Sequence, residues 1–280
     1  LINILFQEAD DAKKLFDEMM KSPQHHWRLT YDENAVNVYF HEGTSECIHS
    51  LFIPVFTKCI VRLFESRWLL MIITRSFYYE NEEEQQQILQ LAHSFIDGER
   101  YDYRMGKKCL HSREQLIERS LREFLHDGLS FSFESFVKFR LKEYYDRLVH
   151  YVELAIDEYK LEQEYQNFVQ MLREIVANRS PQMDVIHLLH KNESFHFFDE
   201  QFSEIAPTQL KGLIDRRLMV SQPMYIDSFV LAPLVSIAPT VIRLYTNQVD
   251  DGIIQTVQNV FQERVQLFPI TFFAKLDFVD

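Results

Sequence analysis

Glycine is scarce in this chain, with 6 in 280 residues, and proline is little commoner at 8. So little glycine leaves little material for loops that cradle phosphate, and no GxGxxG, GxxxxGK[ST] or GxSxG pattern occurs. The shortage of chain breakers also argues against a turn-rich β fold and for long helices. Cysteine is equally sparse. Cys47, Cys59 and Cys109 are odd in number and widely spaced, and none forms a CxxC, so a disulfide framework or zinc ribbon is not indicated and reduced cytoplasmic thiols are expected. Positive charge is short as well. There are 29 basic residues against 42 acidic ones, a net charge of −13, which disfavours non-specific nucleic-acid binding and anionic membrane surfaces. The visible basic cluster is Arg100, Arg104, Lys107 and Lys108. A membrane-spanning run of roughly 20 apolar residues is missing; the most membrane-like patch, Trp68 to Ile73, is bracketed by Arg67 and Arg75. No leader pattern opens the sequence, so a cytoplasmic location without a membrane span is expected. There is no internal repeat and no low-complexity segment.

What the chain does have is apolar residues, 46% by count with 24 Phe, and one stretch that organises them. Between Gly128 and Pro181 there is neither Gly nor Pro. Within it Leu141, Tyr144, Tyr145, Leu148, Val152, Ala155, Ile156 and Tyr159 recur at spacings of three and four, one stripe of an amphipathic helix. Ser132 is placed to cap it, with Glu134 in the first turn, and Glu143 and Arg147 form a favourable i,i+4 pair. A second set, Leu161, Tyr165, Phe168, Val169, Leu172, Ile175 and Val176, lies on a face rotated by roughly 140°. Heptad drift of about 20° is too small for that jump. The pattern therefore predicts a bend or break near Lys160–Glu162, or a helix that bridges two subdomains. The tyrosines read as core residues whose hydroxyls reach the rim.

Around this stretch the chain reads as follows. Ile2 to Phe6 is a strand and Glu8 to Lys21 a helix. Trp27 to Tyr31 and Val36 to Phe40 form a hairpin about Asp32–Asn34. Ile48 to Phe77 is helical, with Pro54 in its first turn or at a kink. Asn81 with Glu84 starts the next helix, and Gly98 ends it. Glu99 to His111 is polar and is the expected connector. Ser112 with Gln115 is a capping box for a helix running to Asp127. After Pro181, Asp184 to Leu189 and Ser194 to Phe198 form a second hairpin, and Pro207 to Asp215 a short helix. Asp227 caps another helix, which Pro233 is expected to bend. Val241 to Tyr245, Asp250 to Arg264 and Val265 to Phe268 read as strand, helix, strand. The fold class is thus α+β and predominantly helical. A small N-terminal α/β unit leads to a helical body around a long central helix, bent or broken, and then to a small C-terminal α/β unit. The expected division is 1–98, a connector at 99–111, and 112–280.

No catalytic or cofactor-binding residue stands out. The nearest approach to a metal site is His187, His190 and His196 beside Asp199 and Glu200. Its order is wrong for HExxH, and strand geometry sends 187 and 190 to opposite faces. Asp157, Glu158, Glu162 and Glu164 are a weaker candidate for paired-carboxylate acid/base work. Glu80 and Glu82 to Glu84 read as a solvated helix start, and Cys59 as a core residue. Arg140, between Phe139 and Leu141, either snorkels from the apolar stripe or holds an anion or carboxylate.

The run FRLK (Phe139–Lys142), VELAIDEY (Val152–Tyr159) and EYQNFVQMLR (Glu164–Arg173) resembles the YtxC-like family of sporulation proteins of endospore-forming Firmicutes. LVSIAPTVIRLY (Leu234–Tyr245) and IIQTVQNVFQERV (Ile253–Val265) are similar too, with the hairpin VIHLLH…FHFFDE between them. The resemblance covers mostly Phe136 to Val265 and carries no catalytic residues. It implies a cytoplasmic, sporulation-associated protein. Together with the composition it leads to the expectation of a non-enzymatic interaction or scaffold protein with a protein partner, no cofactor and no nucleic acid. The alternative is an enzyme or metal-binding protein using the 187–200 hairpin or the 157–164 carboxylates.

Overall fold

The computed structural model describes residues 1–22, 26–40, 44–98, 112–215, 227 and 229–276. The chain is α+β and predominantly helical, as its patterning indicates, and it forms two compact units, Leu1–Lys160 and Leu161–Asp280. The expected connector at 99–111, with its basic cluster and Cys109, lies outside the described residues.

In the first unit, β1 (Ile2–Leu5) is followed by α1 (Ala9–Met20) and the hairpin β2 (Trp27–Asp32) and β3 (Ala35–Phe40). β1 runs antiparallel to β3 and parallel to a short strand, β4 (Ser130–Ser132), giving the order β2-β3-β1-β4. Helix α2 (Thr44–Cys47) continues through a π-helical segment at Ile48–Phe52 into α3 (Ile53–Arg75), and this wider turn stands directly ahead of Pro54, whose missing N–H interrupts the regular helical bonding. α4 (Glu82–Ile96) begins at Asn81, whose side chain accepts from the Glu83 and Glu84 N–H groups. The Ser112–Gln115 capping box starts α5 (Arg113–Phe124), which ends three residues short of the expected Asp127. One core unites these elements, with Phe133 at its centre: its ring lies 4.8 Å from Phe64, 4.9 Å from Phe6 and 6.5 Å from Trp68.

Of the two outcomes that the apolar pattern allows, the structure follows the second: the helix runs on through Lys160 from one core to the other, and the break in the central stretch lies earlier. Ser132 caps α6 (Phe133–Arg140), and the chain turns at Leu141 (φ −96°, ψ 22°). From there α7 (Lys142–Ala177) is unbroken for 36 residues through Lys160. The shift of stripe that suggested a break reflects a change of core instead. Tyr144 to Tyr159 belong to the core of the first unit, and Phe168 to Val176 to that of the second. Leu161, read as apolar lining, is 60% exposed. Glu143 pairs with Arg119 of α5.

In the second unit, β5 (Val185–Lys191) and β6 (Ser194–Phe198) form the expected hairpin, with left-handed Asn192 and Glu193 in its turn. β7 (Val241–Tyr245) and β8 (Val265–Phe268) extend it in parallel, in the order β6-β5-β7-β8. α8 is Pro207–Leu213 and α9 is Leu231–Ile237. The Asp227 carboxylate accepts the Phe229 and Val230 N–H groups ahead of α9. Pro233 lies in the first turn of α9, where its missing N–H has no partner within the helix to lose. Asp251, one residue after the expected start, caps α10 (Gly252–Phe261) between the parallel strands. α11 (Ile270–Leu276) was not legible from periodicity; its Phe273 packs on Tyr245 and Phe198.

Candidate functional site

A cleft of about 810 Å³ opens in the first unit. One wall is α3, where Arg67, Leu70, Met71, Thr74 and Arg75 recur at spacings of three and four and so share a face. The other wall is the broken end of the central stretch: Val137 and Lys138 on α6, Lys142 and Tyr145 on α7. Trp68 and Phe133, both buried, form the floor. The turn at Leu141 makes this wall, since it starts a new helix and keeps Lys138 and Lys142 beside the same cavity.

Of the charged groups lining the cleft, Asp11, Arg67 and Glu134 are engaged, whereas Glu8 is an exposed carboxylate. Asp11 is buried and receives both terminal nitrogens of Arg67 at 2.7 Å, a bidentate pair. The Glu134 carboxylate accepts the Gln7 N–H at 2.9 Å and the Ser132 hydroxyl at 2.9 Å. By contrast Arg75, Lys138 and Lys142 are exposed and form no ion pair among the described residues. Burial pushes the Tyr145 hydroxyl up in pKa, and the nearby Arg75 pulls it part of the way back. Phe139, 71% exposed, stands beside Lys138, whose ammonium lies 5.5 Å from the ring centre. The arrangement is an apolar trough with free cations on both walls, suited to holding an anionic, partly apolar group.

Next to the floor is a buried polar clamp. The Tyr144 hydroxyl donates to Glu65 at 2.5 Å, and Arg113 lies 3.2 Å from the same carboxylate and 3.1 Å from Asp97. Glu65 is 3% exposed. Burial raises its pKa, and the Tyr144 hydrogen bond and Arg113 offset only part of the rise. The Tyr144 ring stands edge-on to Trp68 at 6.1 Å, which ties the clamp to the floor.

The residues singled out in the sequence lie elsewhere. Arg140 is exposed and its guanidinium sits 5.5 Å over the Phe124 ring, while its carbonyl accepts the Ser120 hydroxyl. His187 is buried and shares a 2.9 Å hydrogen bond with the Tyr245 hydroxyl. His190, on the opposite face of β5, is buried against Thr246 at 3.1 Å. His196 is exposed and pairs with Glu204 at 2.9 Å. The structure does not bring the three together. Glu162 and Glu164 are exposed, and Asp157 and Glu158 half-buried, along α7. Among the described residues no group of three His, Cys, Asp or Glu side chains is placed to hold a metal ion. Cys59 is buried, and burial pushes its thiol up to about 12, that of a core residue.

The sequence profile of the YtxC-like family matches residues 50–266. The chain is also 40% identical to a protein of Bacillus subtilis (strain 168), "Uncharacterized protein YtxC", over 284 aligned positions covering 98% of this chain and 96% of that one. The chain belongs to the YtxC-like family. No solved structure matches it. The region matched to the YtxC-like profile includes both helical walls of the cleft, but not the β1–α1 turn with Gln7, Glu8 and Asp11.

Sequence reasoning about this YtxC-like chain missed the cleft while touching its edge. Arg67 and Arg75 stood out as brackets of the Trp68–Ile73 patch, and that spacing is the α3 wall. The α2–α3 run, Ser45–Arg75, is long and apolar enough to cross a membrane by length and composition, and half of the qualifying window is buried in the structure. Lys138 and Lys142 carried no signal, because their shared cavity depends on the turn at Leu141.

Proposed function

We propose that this member of the YtxC-like family is a non-enzymatic interaction protein of the sporulating cytoplasm, holding a protein partner in the cleft between α3 and the α6–α7 turn. The lining of the cleft carries the reading. Two of its acids, Asp11 and Glu134, are held by Arg67, Gln7 and Ser132, and Glu8 is exposed, while Arg75, Lys138 and Lys142 form no ion pair among the described residues and lie beside an apolar floor. Recognition needs unpaired charge beside apolar surface. The resemblance to a family of endospore formers supports the setting. In this reading Ser45–Arg75 is a core helix, supported by its buried Phe52, Phe56, Ile60 and Phe64.

The test is affinity capture after mild cross-linking in sporulating cells, with the wild-type chain and a variant carrying Arg75→Glu, Lys138→Glu and Lys142→Glu. A reproducible stoichiometric protein partner that the variant loses is the expected result. A clean preparation with a co-purifying metal or small molecule would instead favour an enzyme or metal protein working through the 187–200 hairpin or the 157–164 carboxylates.

A further inference from the structure

The cations of the cleft have a spacing as well as a sign. Lys138 and Lys142 stand four residues apart across the Leu141 turn on one wall, and Arg75 stands on the other wall near Tyr145. Lys138 lies in the last turn of α6 and Lys142 opens α7, so the Leu141 turn sets how the two stand. Leu70, Met71 and Val137 line the same cleft, and the exposed Phe139 ring lies under the Lys138 ammonium. Arg67, about two turns of α3 from Arg75, is neutralised by Asp11, so positive charge is concentrated at one end of the trough.

A small inorganic anion is best held by donors that converge on one point. These cations are spread over two walls that also carry apolar side chains, so they suit carboxylates that are themselves spaced along an apolar body. An amphipathic helix has that pattern. Its i, i+4 positions repeat about every 6 Å, its apolar stripe fills a trough, and flanking acids meet basic walls. Met71 on the floor side gives such a stripe an adaptable surface. The chain as a whole is acidic, with a net charge of −13, so the basic rim also selects where an acidic partner docks.

Resting on the proposed role of the cleft, we infer that its occupant is an amphipathic helix of a partner protein that presents paired carboxylates to Lys138 and Lys142, with a third acidic group towards Arg75. The full chain would be used to select from a displayed library of helical peptides, and the enriched peptides then titrated by fluorescence anisotropy. Expected are enriched sequences with an apolar stripe and paired Asp or Glu residues. Their affinity should fall by about tenfold or more on Lys138→Glu/Lys142→Glu and weaken steeply with salt. A milder pair, Lys138→Gln/Lys142→Gln, gives the same ordering if charge reversal disturbs folding; both are checked by thermal melting. Enriched peptides without paired acids, or peptides that bind wild type and variants equally, overturn the inference. So does dodecanoate binding stoichiometrically at the cleft while no peptide is enriched. If cellular capture still depends on Arg75, Lys138 and Lys142 while acidic helices fail here, the cleft's role stands and only its ligand chemistry falls.

Discussion

The two units of the chain bury polar groups by opposite means. The first places a carboxylate in its core: Glu65, held by the Tyr144 hydroxyl and flanked by Arg113. The second places a neutral imidazole: His187, bonded to Tyr245, with Phe202 4.0 Å from its ring. Burial raises Glu65 above its ordinary 4.5 and lowers His187 below its ordinary 6.5. Both shifts favour the uncharged form, yet their consequences for stability have opposite signs. Glu65 takes up more protons folded than unfolded, so its unit weakens as pH rises from about 4.5 through the raised value. His187 takes up fewer, so its unit weakens as pH falls from 6.5 through the depressed value. Desolvation alone thus gives one chain two pH responses, and mild acid moves stability from the second unit towards the first.

The strongest way to break the comparison is to damage one unit and watch the other. Phe133→Ala should cost the first unit about 3–5 kcal/mol. Both tryptophans of the chain, Trp27 and Trp68, lie in that unit, so fluorescence melts report it. Hydrogen exchange over β5 and β7 should stay as in wild type, and equal loss of protection there would mean that the units do not unfold separately. Next in size is Tyr245→Phe, which leaves the buried His187 ring nitrogen without its partner at a cost of about 1–3 kcal/mol. Exchange over β5 and β7 should rise while the tryptophan signal holds. Glu65→Gln tests the sign: the fluorescence-detected melting temperature should fall with pH above 4.5 in wild type and lose that slope in the variant. An unchanged slope would assign it to another group. Smallest is the cleft rim, where Arg75→Glu, Lys138→Glu and Lys142→Glu are exposed changes expected to alter stability by within about 0.5 kcal/mol each.

Much of the fold was legible because its signals are local. Asn81, Ser112 and Ser132 each bond backbone N–H groups two or three residues ahead, so residue type and spacing suffice to place a helix start. Both hairpins could be read from alternation about a polar turn. Features set by distant partners could not. β4 is three residues long and exists through its pairing with β1, so it has no period to detect. The two stripes of α7 were found, but an unbroken helix passing from one core to another gives the same pattern as a break. The cleft was the least legible feature. Its walls join residues near 70 with residues near 140, and no local pattern links them, whereas Arg140 attracted notice for its apolar neighbours in the chain and meets Phe124 instead.

The position of β1 has a consequence for how the first unit assembles during synthesis. β1 lies between β3 and β4, with Ile4 opposite Val36 on one side and Phe131 on the other. The hairpin side can zip as soon as residues near 40 leave the ribosome, but the parallel side must wait for residues near 130. Until then one edge of β1 is open, and at roughly 5–20 residues per second that interval lasts several seconds or more. Phe133 follows directly after β4, so the keystone of the aromatic core arrives with the closing strand. Ribosome-bound chains stalled before residue 130 should therefore resist protease poorly, with protection of the first unit appearing once β4 and Phe133 have emerged.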